Sequence, residues 1–149
     1  MEQSYDPERS VFKLLYILKR QTDSWADSKI GALVPGEFNL TFMPYFMNIG
    51  SEGISNHDLV NKIRVTKQGV SKTIKELERL KLVYTSKSET DARSILINLT
   101  EEGKDLHEAI RKMGNQLTDE HVQLLGVKKY EQFIDSWIKL SNWHEDQEK

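Results

Sequence analysis

Apolar positions recur at helical spacing over two short consecutive stretches near the middle of the chain. The first runs from Asn56 to Ile63, with Ser55 placed to cap it. The second follows Val65-Thr66. Its Val70, Ile74, Leu77 and Leu80 lie three and four residues apart and share one face of a helix from Thr66 to Leu80. Thr66 can accept a hydrogen bond from an unpaired N–H of the first turn. A turn of about three residues joins the two helices, and Arg64 would sit in it at a modest cost if its φ is positive. Leu82-Val83-Tyr84-Thr85 then reads as a strand and Ser86 to Arg93 as a polar tip. Ser94 to Leu99 reads as a second strand, with Ile95, Ile97 and Leu99 on one face. Thr100 is the expected cap of a further helix, with Gly103 in its first turn. Glu52-Gly53-Ile54 is placed to add a short third strand.

The flanks read as longer helices. One is expected from Asp6-Pro7, with Asp6 as N-cap and Pro7 at the tolerated first position, to about Ile30. Its Val11, Leu14, Leu15, Leu18 and Trp25 form a stripe, with Phe12, Tyr16 and Lys19 beside it. Residues 1–7 are polar and expected to fray. Residues 31–39, including Gly31, Pro35, Gly36 and Asn39, read as a loop. A helix from Thr41 to Ile49 follows, with Thr41 as N-cap and Pro44 in the first turn; Phe42, Tyr45, Phe46 and Ile49 would brace the central unit. Residues 100–116 form a helix with Leu106, Ala109, Ile110 and Met113 on one side. Asn115-Gln116 reads as an interruption, Leu117-Thr118-Asp119-Glu120 as a fresh start, and Gly126 as a break. The last helix runs from Lys128 to about Trp143, with Tyr130, Phe133, Ile134, Trp137, Ile138 and Ser141 as its stripe. Phe133, Trp137 and Trp143 would be awkwardly exposed on a lone chain. The stripe of the first helix fits packing within its own chain or burial against a second copy; the aromatics of the last helix make better sense buried between subunits, together with the first helix.

The outward face of the Thr66–Leu80 helix gives the first hint of chemistry. Lys67, Gln68, Ser71, Lys72 and Lys75 all carry cationic or hydrogen-bonding groups suited to phosphates and major-groove base edges. A lysine-rich face opposite an apolar stripe is most often just a solvated surface. Here no carboxylate interrupts it before Glu76, and a capped helix precedes it at the spacing a helix-turn-helix requires. Charge distribution supports the same reading. The whole chain carries a net charge of −2, yet Ser55 to Arg93 holds nine basic and five acidic side chains. A basic middle with acidic flanks faces phosphate while the rest keeps the chain soluble.

With these elements in place, the chain resembles the MarR family of bacterial transcriptional regulators. The most specific residues are Asp91-Ala92-Arg93-Ser94 in the tip and Leu99-Thr100-Glu101-Glu102-Gly103 after it. The resemblance implies a mainly α fold with a small β wing: a winged helix-turn-helix at 38–103, and N- and C-terminal dimerisation helices at 7–30 and 104–146. It also implies that Arg93 reaches a minor groove and that Asp91 helps set its position. The chain departs from the family pattern at Ala92, where a second Arg is common. It departs again at Lys81, where Gly is common, and at Tyr84-Thr85, where an Arg is common. Within the helix-turn-helix, Val60 replaces a usual Ala and Arg64 a frequent Gly.

The expected function is therefore DNA-binding transcription regulation, as a repressor, by a homodimer on a pseudo-palindromic operator of double-stranded DNA. The DNA-binding residues are expected to be Thr66, Lys67, Gln68, Ser71, Lys72, Lys75, Lys87, Asp91 and Arg93. The family's usual effector is a small aromatic or phenolic acid, and Tyr16, Trp25, Phe42, Tyr45 and His57 are the candidates to line its pocket; core packing is the simpler role for each. The alternative is a winged-helix module that binds proteins rather than DNA.

Other classes find little support. At 149 residues, 38% hydrophobic and 30% charged, the chain can bury a core. No apolar run approaches the ~20 residues of a membrane span, and Met1 to Ser10 lacks a signal-peptide core. Cysteine is absent, which excludes disulfides and thiol switches. The cytoplasm is the expected location, with no membrane partner. No cofactor is expected and no nucleophile or phosphate-loop motif occurs, so an enzyme is not expected. His57, His107, His121 and His144 lack metal-ligand spacing; a site assembled in the fold from His107, Glu108 and His121 stays open.

Overall fold

The computed structural model describes residues 4–34 and 37–149. Residues 1–3 of the segment expected to fray, and Pro35 and Gly36 of the expected loop, lie outside them. Two compact units form, Met1–Glu108 and Ala109–Lys149. The described residues are mainly helical, with one small antiparallel sheet.

The first helix begins later than expected. Asp6 caps as anticipated, accepting from the Glu8 N–H at 2.9 Å, but Pro7–Arg9 is a 3-10 turn and Ser10 is extended. Helix α1 therefore spans Val11–Leu33. It also passes through Gly31, which was expected in a loop. A single glycine costs a helix only about 1 kcal/mol, and the fully buried Ile30 beside it holds the last turn in place. The apolar stripe at the start of α1 is open: Phe12 is 88% exposed, and Val11, Leu14, Leu15, Tyr16 and Leu18 are exposed as well.

The second helix is capped differently from the expectation. Asn39, not Thr41, is the N-cap: its side chain accepts from the Thr41 N–H at 2.9 Å, opening a 3-10 turn over Leu40–Phe42. An asparagine side chain favours this local turn two residues on. Helix α2, Met43–Phe46, continues from it with Pro44 in its first turn. It ends before Ile49; Asn48 instead donates to the Pro44 carbonyl at 2.7 Å and closes the segment as a turn. Phe46 and Ile49 are completely buried, and Phe38 packs edge-on to Phe42 and Phe46.

Strand β1 (Ile54–Ser55), helix α3 (Asn56–Ile63), helix α4 (Lys67–Arg79) and strands β2 (Val83–Lys87) and β3 (Ile95–Leu99) follow. The sheet order is β1-β3-β2, with Ile54 opposite Ile97 and Val83 opposite Leu99. Leu59 from α3, Val70, Ile74 and Leu77 from α4, and Val83, Ile97 and Leu99 from the sheet are all buried. Burial of each such side chain is worth about 1.5–3 kcal/mol, which fixes the two helices against the sheet.

Helix α5 runs unbroken from Glu101 to Leu125, through the Asn115-Gln116 interruption and the fresh start at 117–120. Asn and Gln in a helix interior cost only tenths of a kcal/mol, too little to end a helix that already has regular bonds on both sides. Gly126 does break the chain, at φ 84°. Helix α6 spans Val127–Gln147, longer at both ends than expected. It has no buried residue; Phe133, Trp137 and Trp143 stay exposed, with Phe133 and Trp137 edge-to-face at 5.2 Å. No described helix is long and apolar enough to cross a membrane.

Candidate nucleic-acid interface

Local capping sets the two central helices. Ser55 Oγ accepts from the Asp58 N–H at 3.0 Å, and Thr66 Oγ1 from the Gly69 N–H at 3.0 Å. Between them Arg64 takes the left-handed conformation, φ 54°, as the tight turn demands. The two helices pack through Leu59, Val70 and Ile74, and Thr73 shares that buried face. Opposite it, Thr66, Lys67, Gln68, Ser71, Lys72 and Lys75 are all exposed. Among the described residues, none of the three lysines forms an ion pair.

Arg79, one turn beyond, is different. Its guanidinium donates to Glu37 at 2.6 Å and to Glu76 at 3.1 and 3.3 Å. The hydrogen bond to Glu37, then that to Glu76, push its pKa further up. Its donors are thus turned toward carboxylates of its own chain.

The wing tip is a hydrogen-bonded turn. Asp91 accepts from the Arg93 backbone N–H at 3.0 Å and from the Ser94 hydroxyl at 3.2 Å, while Ser94 N–H reaches the Asp91 carbonyl at 3.0 Å. Asp91 thereby fixes the backbone from which Arg93 projects. Arg93 and Lys87 are exposed, and the Arg93 guanidinium has no ion-pair partner among the described residues.

Between α3, α4 and the wing lies a groove of about 500 Å³. Val60, Val70, Ile74, Ile95 and Ile97 contribute apolar wall; Lys67, Ser71, Lys75, Asp91 and Arg93 bring five of the nine expected DNA-binding residues onto one cleft. Thr66, Gln68, Lys72 and Lys87 lie outside its walls. Asn56, His57, Glu78 and Thr85 also line it. Of these, His57 is expected from the sequence only as a possible pocket residue. Thr85 is noted there only as part of a departure from the family pattern, and neither Asn56 nor Glu78 is expected to bind DNA, since the cleft is assembled from segments far apart along the chain.

The remaining candidate pocket residues stand elsewhere. Tyr16 is exposed on α1, Trp25 lies under the Lys29 ammonium at 5.1 Å, and Phe42 packs on Phe38. Tyr45 is half-buried, with its hydroxyl 3.1 Å from where a side chain on Gly69 would begin. His107 is occupied by the Met47 carbonyl at 3.3 Å and the Phe46 ring. Among the described residues no three His, Asp or Glu side chains converge as metal ligands would.

Two packed helices with an exposed basic second member, followed by a hairpin that projects an arginine, define a winged helix-turn-helix. Residues 44–94 match the model of the MarR family. No curated protein matches the chain. Solved structures match nearly end to end. A MarR protein from Peptoclostridium difficile is 18% identical, with 99% of this chain and 94% of that one covered at a TM-score of 0.80. The S. aureus MepR–DNA complex is 23% identical, with 89% and 96% covered at a TM-score of 0.74. PcaV, a transcriptional regulator from Streptomyces coelicolor in complex with its natural ligand, is 15% identical, with 94% and 97% covered at a TM-score of 0.74. At these identities the likeness establishes the fold.

Proposed function

We propose that the chain is a homodimeric DNA-binding transcription regulator, acting as a repressor. One observation carries the reading: on the outward face of α4, which also bears Lys72, the unpaired cations Lys67 and Lys75 share a cleft with Arg93 of the wing tip. In each protomer α4 enters a major groove and Arg93 the neighbouring minor groove. Gln68 and Ser71 read base edges, and the cations supply phosphate affinity. Two such heads related by a two-fold axis require a pseudo-palindromic site with half-sites about one helical turn apart. The exposed apolar faces of α1 and α6 supply the surface that a second copy buries. The DNA complex of MepR supports the DNA reading.

A small aromatic or phenolic acid is the effector class we propose, as the ligand-bound PcaV structure suggests a ligand-responsive device on this fold. It releases DNA only if it binds better to the head spacing that misfits the operator. Fluorescence anisotropy with mixed genomic fragments at two salt concentrations tests the DNA reading, and sequencing the retained fragments yields the operator. Binding that weakens steeply with salt is expected; no salt-dependent binding would favour a protein partner for the wing.

A further inference from the structure

We propose that His57 touches the DNA backbone and that its charge makes DNA binding tighten as pH falls; this rests on the DNA-binding reading above. If α4 lies in a major groove and the wing tip in the adjacent minor groove, a sugar–phosphate strand must run between them, because that strand is what separates the two grooves. The cleft between α4 and the wing is the space it would occupy, and His57, in the first turn of α3, lines that cleft.

The cleft around the ring is lined by three cations and two carboxylates. From α4 the cleft carries Lys67, Lys75 and Glu78, and from the wing Asp91 and Arg93. On α3 itself Asp58 is the next residue and Lys62 lies beyond Asn61. Glu78 and Asp91 are the carboxylates of the cleft. Asp91 already accepts from Arg93 N–H and the Ser94 hydroxyl, which orients it into the tip turn. His57 is exposed, and its Nε2 stands 3.3 Å from the Asn61 amide nitrogen. Facing an amide nitrogen, Nε2 is an acceptor in the tautomer that carries its proton on Nδ1. When Nε2 is protonated, Asn61 turns its amide to present oxygen instead, and both ring nitrogens become donors. A phosphate in the cleft then meets an added positive charge as well as an N–H.

The sign follows from linkage. A phosphate favours the charged imidazolium, so DNA binding takes up a proton. The gain in affinity is complete at acidic pH and is lost as pH rises. Histidine is the side chain whose charge changes between pH 5 and 8. If binding raises the ring's proton affinity tenfold, the complex tightens by up to about tenfold per reading head over that range.

The test uses the full chain and a DNA fragment it retains, in anisotropy titrations from pH 8 to pH 5.5 at fixed ionic strength. The wild type should tighten toward pH 5.5, and its salt slope should steepen by up to about 0.9 per head. His57→Gln should flatten both trends. His57→Lys, with a charge that does not titrate in this range, should bind with no pH trend and a steep salt slope throughout. Thermal melts at each pH check that the variants are folded, and His57→Lys decides the matter if His57→Gln does not fold. A wild type that binds without pH dependence, or a folded His57 variant that keeps the wild-type trend, overturns the proposal while leaving DNA binding intact. No salt-dependent binding at any pH overturns the DNA reading itself.

Discussion

Replacing Gly103 by Ala sets two effects of opposite sign against each other. Gly103 lies in the first turn of α5, where alanine ordinarily stabilises a helix by about 1 kcal/mol over glycine. Here, however, a Cβ would fall inside the Leu82 carbonyl oxygen, 2.9 Å from the Leu82 carbonyl carbon and 3.3 Å from Thr100 Oγ1. Leu82 is buried and its carbonyl already accepts from the Thr100 N–H at 3.0 Å. Thr100 Oγ1 also donates to the Lys81 carbonyl at 2.7 Å and accepts from the Gly103 N–H at 3.0 Å. Both walls of the clash are backbone, so the start of α5 and the entry to β2 must separate. Overpacking of this kind costs about 1–3 kcal/mol, and each weakened hydrogen bond about 1 kcal/mol. After the helix-propensity gain the expected loss is about 2–4 kcal/mol, read as a lower urea midpoint at unchanged m. Gly114, in the same helix with nothing within 4 Å of an added Cβ, is the internal comparison: Gly114→Ala should gain up to about 1 kcal/mol. If Gly103→Ala is as stable as the wild type, the close approach of α5 to β2 is not what the glycine serves.

Lys72→Ala should weaken binding to all DNA sequences and lower the salt slope by roughly 0.9 for each phosphate it no longer neutralises, measured by anisotropy at several salt concentrations; an unchanged slope would mean that Lys72 touches no phosphate. Thr66→Ala should lose the bond to Gly69 N–H and about 1 kcal/mol in urea denaturation. Lys81→Gly should stabilise the fold by about 0.5–1 kcal/mol, read as a higher urea midpoint, because Lys81 holds a φ of 59° that glycine adopts without strain. Asp91→Ala should leave the melting temperature almost unchanged but weaken DNA binding, since it removes the carboxylate that holds the Arg93 N–H and the Ser94 hydroxyl.

The central elements were legible because local rules and tertiary packing agree there. Ser55 and Thr66 cap where a hydroxyl was expected, and Val70, Ile74 and Leu77 bury the stripe that their spacing drew. The positive φ of Lys81, which replaces a family glycine, is legible only through that resemblance. Where expectation and structure part, the deciding force is weak or local. Asn39 outcompetes Thr41 as a cap through a two-residue turn, and Ser10 breaks a helix that periodicity would have carried back to Pro7. Asn115 and Gln116 are overruled by the continuity of α5. The cleft is the least legible feature. Its walls come from residues 56 to 97 on α3, α4, β2, the wing tip and β3, and no pattern along the chain announces that Asn56, His57, Glu78 and Thr85 will meet there.

Ser55 has a double membership: it pairs with Leu96 as the last residue of β1 and caps α3 through its hydroxyl. The next residue, Asn56, accepts from the Ile95 N–H at 3.4 Å. The hairpin is thereby riveted to the first helix of the reading head at the tip end of β3, where Lys87 pairs with Ile95, so the two swing together. Adding or deleting residues between Lys87 and Ser94 would then alter how far the arm extends while leaving its pitch alone, a design in which reach and aim are inherited separately.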